Sequence, residues 1–207
     1  VVAVSAGVYH SMALTAEGAV WSWGYGARGR LGHGDSQDQL LPKKIEALEG
    51  WRVVEGWRVV AVSAGGDHSL AITSDGAVWS WGYGGYRELG HGNQQHQLLP
   101  KKIEAFAGRR VVAVSAGVYH SMALTAEGAV WSWGYGARGR LGHGDSQDQL
   151  LPKKIEAFAG RRVVAVSAGA CHSLALAADG SVWSWGDGDY GKLGHGNRQY
   201  QLLPKKV

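Results

Sequence analysis

The chain has 207 residues, of which 45% are hydrophobic and 18% charged, a composition typical of a folded globular protein rather than a disordered one. The formal net charge is +4, and the single cysteine, Cys171, excludes an internal disulfide framework. No apolar run approaches the roughly 20 residues of a transmembrane helix, so no membrane partner is predicted. The compartment stays open, with a cytoplasmic or nuclear location favoured over secretion.

Internal repetition dominates the sequence. The segment VVAVSAG begins at Val1, Val59, Val111 and Val163, at intervals of 58, 52 and 52 residues. The longer first interval comes from a doubled EGWRVV, and residues 1–47 and 111–157 are identical. The pattern predicts one domain, 1–207, built from four units: 1–58, 59–110, 111–162 and 163–207.

The first half of each unit reads as two strands. In the first unit, VVAVSAG (1–7) is apolar and then small-residued, as expected where space narrows. HSMALTA (10–16) alternates and ends at Glu-Gly, which becomes Asp-Gly in the second and fourth units. Asp-Gly between alternating segments is a strong hairpin signal.

The second half of the unit completes the predicted sheet. AVWSWGY (19–25) is the third strand, and its period of two places Trp21 and Trp23 on one face. LPKKIEA (41–47) is the fourth, with Pro42 at its start and paired lysines, which are features of an edge strand. No helix is predicted. A four-stranded unit repeated about every 50 residues predicts an all-β fold, a β-propeller of four-stranded blades.

The repeated pattern VVAVSAGxxHSLALTxDGxVWSWGxGxxGxLGHG resembles the regulator of chromosome condensation repeat family over essentially the whole chain. The resemblance implies a β-propeller, which in that family usually has seven blades. Four units leave three arrangements open. The chain could form a four-bladed ring, half of a paired ring in a homodimer, or part of a seven-bladed propeller.

Sequence variation concentrates on one predicted face. If the strands run from axis to rim, the loops at 8–9 and 25–39 share a face, and most of the 13 differences between 1–47 and 59–105 fall in them. A rigid frame with variable loops is typical of a binding surface, although neutral drift explains the same pattern. The predicted partner-contacting residues are Tyr9, Arg28, Arg30, Asp35, Asp38, Asp67, Tyr86, Arg87, Tyr119, Arg138, Arg140, Asp189, Tyr190 and Tyr200.

The chemistry-bearing residue types favour structural roles. The glycine-rich segment 24–32 is followed neither by a helix nor by Gly-Lys-Ser/Thr, so it does not predict a phosphate loop. Eight of the nine histidines occupy two repeated positions, which predicts hydrogen bonds between loops of the scaffold rather than a metal site. Cys171 and His172 are adjacent on a strand and point in opposite directions. No catalytic residue, metal or cofactor is predicted.

Basic residues lie mainly away from the variable loops. Fourteen of the 21 lysines and arginines fall on the predicted rim or on the connections at the opposite face. Such a band could meet nucleic acid or histones, but edge protection explains the lysines without a partner. Aromatic residues do not interleave with the band in sequence, so stacking on bases is not expected.

We therefore predict a non-enzymatic scaffold that binds a protein partner through its variable loops. The family resemblance implies an alternative, guanine-nucleotide exchange on a small GTPase with chromatin contact, although no insertion here matches that family's exchange wedge. A plant ultraviolet-B photoreceptor of the family uses a GWRHT motif. The corresponding segments of this chain, at 50–54 and 56–60, read GWRVV and lack the histidine and threonine, so photoreception is not predicted. The identical copies also allow an engineered or recently duplicated protein with no selected partner.

Overall fold

A computed structural model describes residues 1–49 and 56–207, and over these residues it contains four antiparallel four-stranded sheets, here called blades 1 to 4. The predicted all-β fold of four-stranded blades is confirmed. The strands are β1 Ala3–Ala6, β2 His10–Leu14, β3 Val20–Gly24 and β4 Gln39–Lys44 in blade 1; β5 Val59–Ala64, β6 His68–Thr73, β7 Val78–Gly82 and β8 Gln97–Lys102 in blade 2; β9 Val111–Ala116, β10 His120–Thr125, β11 Val130–Gly134 and β12 Gln149–Lys154 in blade 3; and β13 Val163–Ala168, β14 His172–Ala177, β15 Val182–Gly186 and β16 Gln201–Lys206 in blade 4.

Short helical turns, which the sequence did not predict, connect some of these strands. They arise in glycine-framed loops and blade connections and are too short to show a helical period. The 3-10 helices are Ala27–Gly29, Glu104–Phe106, Ala137–Gly139, Glu156–Phe158 and Asp189–Gly191, and a further helical turn covers 46–49.

Each blade runs in chain order from the axis to the rim. The first strands of successive blades contact one another, and the small residues at their ends line the axis. A Cβ on Gly7 would lie 2.3 Å from the carbonyl oxygen of Gly65, so only glycine permits this approach. The small-residue ending of the first strand is thus explained by crowding at the axis.

The fourth strand differs from its prediction. It begins at Gln39 and ends at Lys44, so Pro42 lies inside the strand rather than at its start. Ser22 pairs with Lys43 while Gly24 pairs with Gln39, and the register shift leaves the residues around Pro42 out of the ladder. Because a bulged edge strand does not need every N–H, the proline is accommodated. The other three strand predictions differ from the observed strands by at most two residues at either end.

The hydrophobic core lies between blades. Trp79 and Trp81 of blade 2 pack against Met12, Leu14 and Val20 of blade 1, and equivalent clusters join blade 2 to blade 3 and blade 3 to blade 4. The two tryptophans of each third strand therefore face the preceding blade, which confirms that they share a face. Burial of such large side chains is the main apolar contribution to these junctions.

One histidine series joins neighbouring blades. His10 Nε2 lies 2.7 Å from Ser69 Oγ, and His68 and His120 make the same contact to the serine of the next blade at 2.8 Å. Burial lowers the pKa of His10 to about 4 and those of His68 and His120 to about 3, so all three are neutral at pH 7. The predicted scaffold hydrogen bonds form between strands rather than between loops.

The second histidine series acts within a blade. His33 Nε2 lies 3.1 Å from Ser22 Oγ, which also donates to the carbonyl oxygen of Leu31 at 2.7 Å. The same pairing recurs in the other three blades. This contact fastens the LGHG segment of the long loop onto the third strand.

The four blades form an open arc over the residues that the structure describes. The inner strand β1 packs on β5, β5 on β9 and β9 on β13, whereas β13 and β1 make no comparable packing. Apolar residues are consequently left exposed at the two ends of the arc, on the side of blade 1 that faces away from blade 2 and on the side of blade 4 that faces away from blade 3.

Candidate partner-binding face

The loops that vary between units converge on one face, here called the loop face, formed by segments 7–9 and 25–38 and their equivalents. Tyr25 donates its backbone N–H to the carbonyl oxygen of Tyr9 at 2.9 Å, and each of the other blades repeats this bond. The hairpin turns, such as 15–18, lie at the opposite face beside the blade connections. The predicted segregation of loops and turns is what the hydrogen bonds show.

Local hydrogen bonds fix the long loop. Asp38 Oδ1 accepts from the N–H of Gly26 at 2.8 Å, and Asp35 Oδ1 accepts from the N–H of Gln37 at 3.0 Å. His96 takes the place of Asp38 in blade 2, where its Nδ1 accepts from the N–H of Gly84 at 3.2 Å. Asp35 and Asp38, both predicted as contact residues, therefore also shape the loop.

The loop tips hold side chains in left-handed backbone conformations. Arg28, Arg138 and Tyr190 have φ of 62°, 59° and 62°, and Arg87 has φ of 67° where the other blades carry glycine. A non-glycine residue in this region costs on the order of 1 kcal/mol or more and persists only where its surroundings enforce it. The four tips are thus held in defined positions on the loop face.

Two of the predicted contact residues lie beneath the surface. The buried Arg30 pairs with Asp67 of blade 2 at 2.6 Å, and its guanidinium also lies 4.6 Å from the ring centroid of Tyr25. Arg140 is equally buried and sits over Tyr119 and Tyr135 of its own blade. In this structure Arg30 and Arg140 contact the scaffold rather than an open surface, because the loop folds them under the tyrosines.

Other variable arginines bridge one blade to the next. Arg87 pairs with Asp148 at 2.6 Å, and Arg138 reaches both Asp187 at 2.8 Å and Asp189 at 2.9 Å. Burial acts to raise the pKa of Asp187, but the hydrogen bond from the backbone N–H of Asp189, together with Lys192 and Arg138, lowers it to about 2. Some residues that differ between units therefore form ion pairs with residues of the next blade. This reason for the variation is not visible when one unit is considered alone.

Glu88 occupies in blade 2 the position of the buried arginines. It is fully buried, and both carboxyl oxygens lack a hydrogen-bond partner. Burial raises its pKa to about 8, so it is mainly protonated at pH 7. Its backbone carbonyl oxygen accepts from Ser121 Oγ at 2.7 Å and from Trp133 Nε1 at 2.7 Å, which fixes the loop onto blade 3.

An accessible aromatic cluster spans the loop face between blades 2 and 3, and is called the tyrosine cluster. Tyr86 lies 5.3 Å from Tyr83, 5.0 Å from Tyr119 and 5.7 Å from Tyr135, measured between ring centroids. Arg28 stacks over Tyr83 at 4.1 Å. Four aromatic rings and a guanidinium are thereby presented together on one surface.

Sequence comparison identified Tyr86, Tyr119 and Arg28 in this group but not Tyr83 or Tyr135. These two tyrosines are equivalent to Tyr25 and do not vary among the first three units, so the search for variable positions passed over them. The available signal was the alternation of the WSW segment, which reaches this tyrosine position when it is continued by two residues. Three further predicted residues, Tyr9, Tyr190 and Tyr200, are exposed elsewhere on the loops.

At the opposite face, basic residues stack on aromatic rings, which the sequence did not predict. Arg109 stacks over Trp131 at 4.9 Å, and Arg161 stacks over Trp183 at 4.5 Å. Aromatic rings therefore do lie beside basic residues there, because the fold brings the third strand against a connection that is distant in sequence. The tryptophan faces are covered by these arginines.

Within the described parts of the chain, no group of three or more His, Cys, Asp or Glu side chains is arranged to hold a metal ion, and no helix is long and apolar enough to cross a membrane. Asp187 pairs with Arg138 and Lys192, and Asp189 pairs with Arg138. The first GWRVV copy, 50–54, lies outside the described residues. In the second, Trp57 is buried against Trp79.

Comparison with known proteins supports one family. The RCC1-like domain matches residues 1–175, and the regulator of chromosome condensation (RCC1) repeat matches 163–192 and 179–207. Over its whole length the chain is 43% identical to the ultraviolet-B receptor UVR8 of Arabidopsis thaliana and covers 46% of that protein.

Solved structures agree. Human WBSCR16 superposes with a TM-score of 0.87 at 30% identity, covering all of this chain and 52% of that one. Prp20p of Saccharomyces cerevisiae gives a TM-score of 0.84 at 30% identity, covering 99% of this chain and 49% of that one. The chain thus spans about half the length of these relatives. Its repeats, blades and inter-blade junctions are those of the RCC1-like β-propellers, and the chain belongs to that family.

Proposed function

We propose that the chain is a non-enzymatic propeller scaffold whose loop face binds a protein partner, with the tyrosine cluster at the centre of the contact. The cluster is the observation that carries the proposal. Tyrosine and arginine are enriched at the energetic centres of protein interfaces because they bury large areas and still donate hydrogen bonds. Here they stand on loops fixed to a rigid β framework, which lowers the entropy cost of binding.

The proposed contact residues are those that the structure leaves accessible. The surface comprises the cluster, the exposed tyrosines of the outer loops and the charged tips, with Arg30 and Arg140 acting from below as supports. Its accessible members are Tyr9, Arg28, Asp35, Asp38, Tyr83, Tyr86, Arg87, Tyr119, Tyr135, Arg138, Asp189, Tyr190 and Tyr200.

Binding by relatives supports a protein partner. Prp20p of Saccharomyces cerevisiae has been solved and its binding to Gsp1p and histones described, and yeast RCC1 has been solved with Kap60 bound. A partner of this chain could therefore be a small GTPase, a histone or a transport factor of the same kind.

The test compares a loop-face variant with a matched variant on the opposite side. Tyr86→Ala/Tyr119→Ala removes the centre of the cluster, whereas Arg109→Ala/Arg161→Ala removes two arginines from the opposite face. Purified Gsp1p, core histones and Kap60 are titrated against each variant and the unaltered chain. We expect the unaltered chain to bind at least one probe. The affinity for that probe should fall about tenfold or more in the tyrosine variant, which loses two central aromatic side chains, and stay unchanged in the arginine variant.

Equal binding by both variants would overturn the assignment to the loop face. Absence of binding to all three probes would remove the support taken from the relatives. Nucleotide release from the same GTPase separates a scaffold from an exchange factor, since a scaffold leaves the release rate unchanged. Histone binding lost in the arginine variant would favour the basic band instead.

A further inference from the structure

Each internal junction joins two different surfaces. The leucine side of a blade carries an aliphatic group from its second and third strands, such as Met12, Leu14 and Val20 in blade 1. The tryptophan side carries the two tryptophans of the third strand and faces the preceding blade. Blade 1 has an uncovered tryptophan side, and blade 4 has an uncovered leucine side.

Side chains on the tryptophan side of blade 1 are more exposed than their equivalents in the internal junctions. Val4 is 76% exposed, although its equivalents pack into junctions, and Leu41 is 77% exposed against 47% for Leu99. Trp23 is partly exposed, whereas its equivalent Trp133 is fully buried. These apolar side chains have no neighbouring blade in the described structure.

The leucine side of blade 4 is incomplete in the complementary way. Leu176 is 38% and Val182 is 42% exposed, while the equivalent Leu124 and Val130 are almost completely buried. The surface that buries Trp185 on blade 3 is therefore present on blade 4 without a tryptophan upon it.

Glycines on blade 4 leave room for the missing contacts. In the internal junction, a Cβ on Gly32 would lie 2.9 Å from Trp81 Nε1, and one on Gly29 would lie 2.6 Å from Leu98 Cα. The equivalent Gly194 is exposed, and a Cβ on Gly191 would meet nothing within 4 Å. The space that receives a leucine elsewhere is therefore open at Gly191, whereas at Gly194 a Cβ would lie 3.0 Å from Val207 Cγ1, so a tryptophan there takes the place of that valine side chain.

The two ends of the arc each carry one member of a histidine–serine pair. Three internal junctions carry the histidine–serine contact, as in His10 to Ser69. The remaining members of the series are His172 on blade 4 and Ser11 on blade 1, both partly exposed where their counterparts are buried. The two ends are complementary in their polar groups as well as in shape.

We propose that a second copy of this chain binds head-to-tail, with the tryptophan side of blade 1 of one copy on the leucine side of blade 4 of the other. Residues 1–47 are identical to 111–157, so blade 1 offers the same side chains that blade 3 offers to blade 2. Trp23 then lies over Gly194, and His172 meets Ser11. The interface is heterologous, because each copy contributes a different surface to it.

The test uses one variant for each end. Trp23→Asp/Leu41→Asp disables the tryptophan side, and Leu176→Asp/Val182→Asp disables the leucine side. Sedimentation velocity over a hundredfold concentration range should show the unaltered chain rising from 22.0 kDa to at least twice that mass. We expect each variant alone to associate at least tenfold more weakly.

Mixing the two variants gives the decisive result. Each retains the surface that the other lacks, so the mixture should form a complex of one copy of each that grows no further. Glu127→Lys, in the exposed hairpin turn of the internal blade 3, is the control and should associate like the unaltered chain. If a double variant loses its cooperative thermal transition, Leu41→Asp alone replaces it on the tryptophan side and Val182→Asp alone replaces it on the leucine side.

Three results would overturn the proposal. The unaltered chain could stay at 22.0 kDa throughout the range. It could associate while both end variants associate equally well, which would place the contact elsewhere. The mixture of the two variants could remain monomeric, which would exclude a head-to-tail contact.

Discussion

Blades 1 and 3 have the same sequence over 47 residues but different surroundings. Trp133 is fully buried against blade 2 and donates to the carbonyl oxygen of Glu88 at 2.7 Å, whereas Trp23 has no preceding blade in the described structure and is partly exposed. His120 and His10 are both buried, since each has a following blade. The preceding blade, and not the unit's own sequence, determines how deeply a tryptophan is buried.

The same comparison separates the junctions from the loop face. Junction residues repeat almost unchanged because each must fit a repeated neighbour. Loop-face residues change, and several of the changes are matched across a blade boundary, as in Arg30 with Asp67 and Arg87 with Asp148. Variation there combines inter-blade pairing with surface display.

The largest expected effect is a difference between two identical residues. Trp133→Ala should lower the free energy of unfolding by about 3–5 kcal/mol, since it opens a cavity in a closed junction. Trp23→Ala should cost about 1 kcal/mol, because little of its surface is removed from water by a neighbour. Urea denaturation in dilute solution measures both, and equal losses would contradict the comparison.

Because of Glu88, the stability of the protein should fall as the pH rises above about 4.5. Its folded pKa of about 8 exceeds the unfolded value of 4.5, so the folded state holds a proton that the unfolded state releases, and stability falls as pH rises from 4.5 to 8. At about 1.4 kcal/mol per unit, the effect reaches about 3 kcal/mol at pH 7. Denaturation midpoints at several pH values should show a flatter profile for Glu88→Gln, and an unchanged slope would refute this role.

The buried ion pair should matter more than the exposed one. Asp67→Ala leaves the buried Arg30 without its partner and should cost about 2 kcal/mol. Asp189→Ala removes an exposed carboxylate that shares Arg138 with Asp187, and should change stability by less than about 0.5 kcal/mol. The thermal midpoints of the two variants provide the comparison, and a larger loss for Asp189→Ala would count against it.

The smallest effect is expected at the outermost loop tip. Tyr190 is 92% exposed, so Tyr190→Ala should leave the free energy of unfolding within about 0.5 kcal/mol. No gain is expected, because alanine retains the strain of the positive φ. Calorimetry checks the value, and a loss above about 1 kcal/mol would show that Tyr190 has a packing role.

Repetition made the architecture predictable. Four copies of an alternating pattern, a hairpin signal and a WSW strand determine the blade, and a residue present in every copy serves the blade, as His10 and His33 do. Pro42 was misplaced, since a register shift inside a strand leaves no sequence period. The short 3-10 turns were missed for the same reason.

The candidate site was only partly predictable. Variable positions located the loop face, but whether a variable side chain points outward depends on its neighbour in the next blade. Arg30 and Arg140 fold under tyrosines, and Tyr83 and Tyr135 reach the surface without varying. These placements depend on contacts between units and cannot be read from one unit alone.

Acrylamide quenching of tryptophan fluorescence tests most directly whether neighbouring blades set the environment. Trp23→Phe and Trp133→Phe are compared at a concentration below any self-association. Trp23→Phe should remove a readily quenched part of the emission, and Trp133→Phe should leave that part intact. Equal quenching in the two variants would mean that blade 1 is covered like blade 3, and would contradict the open arc.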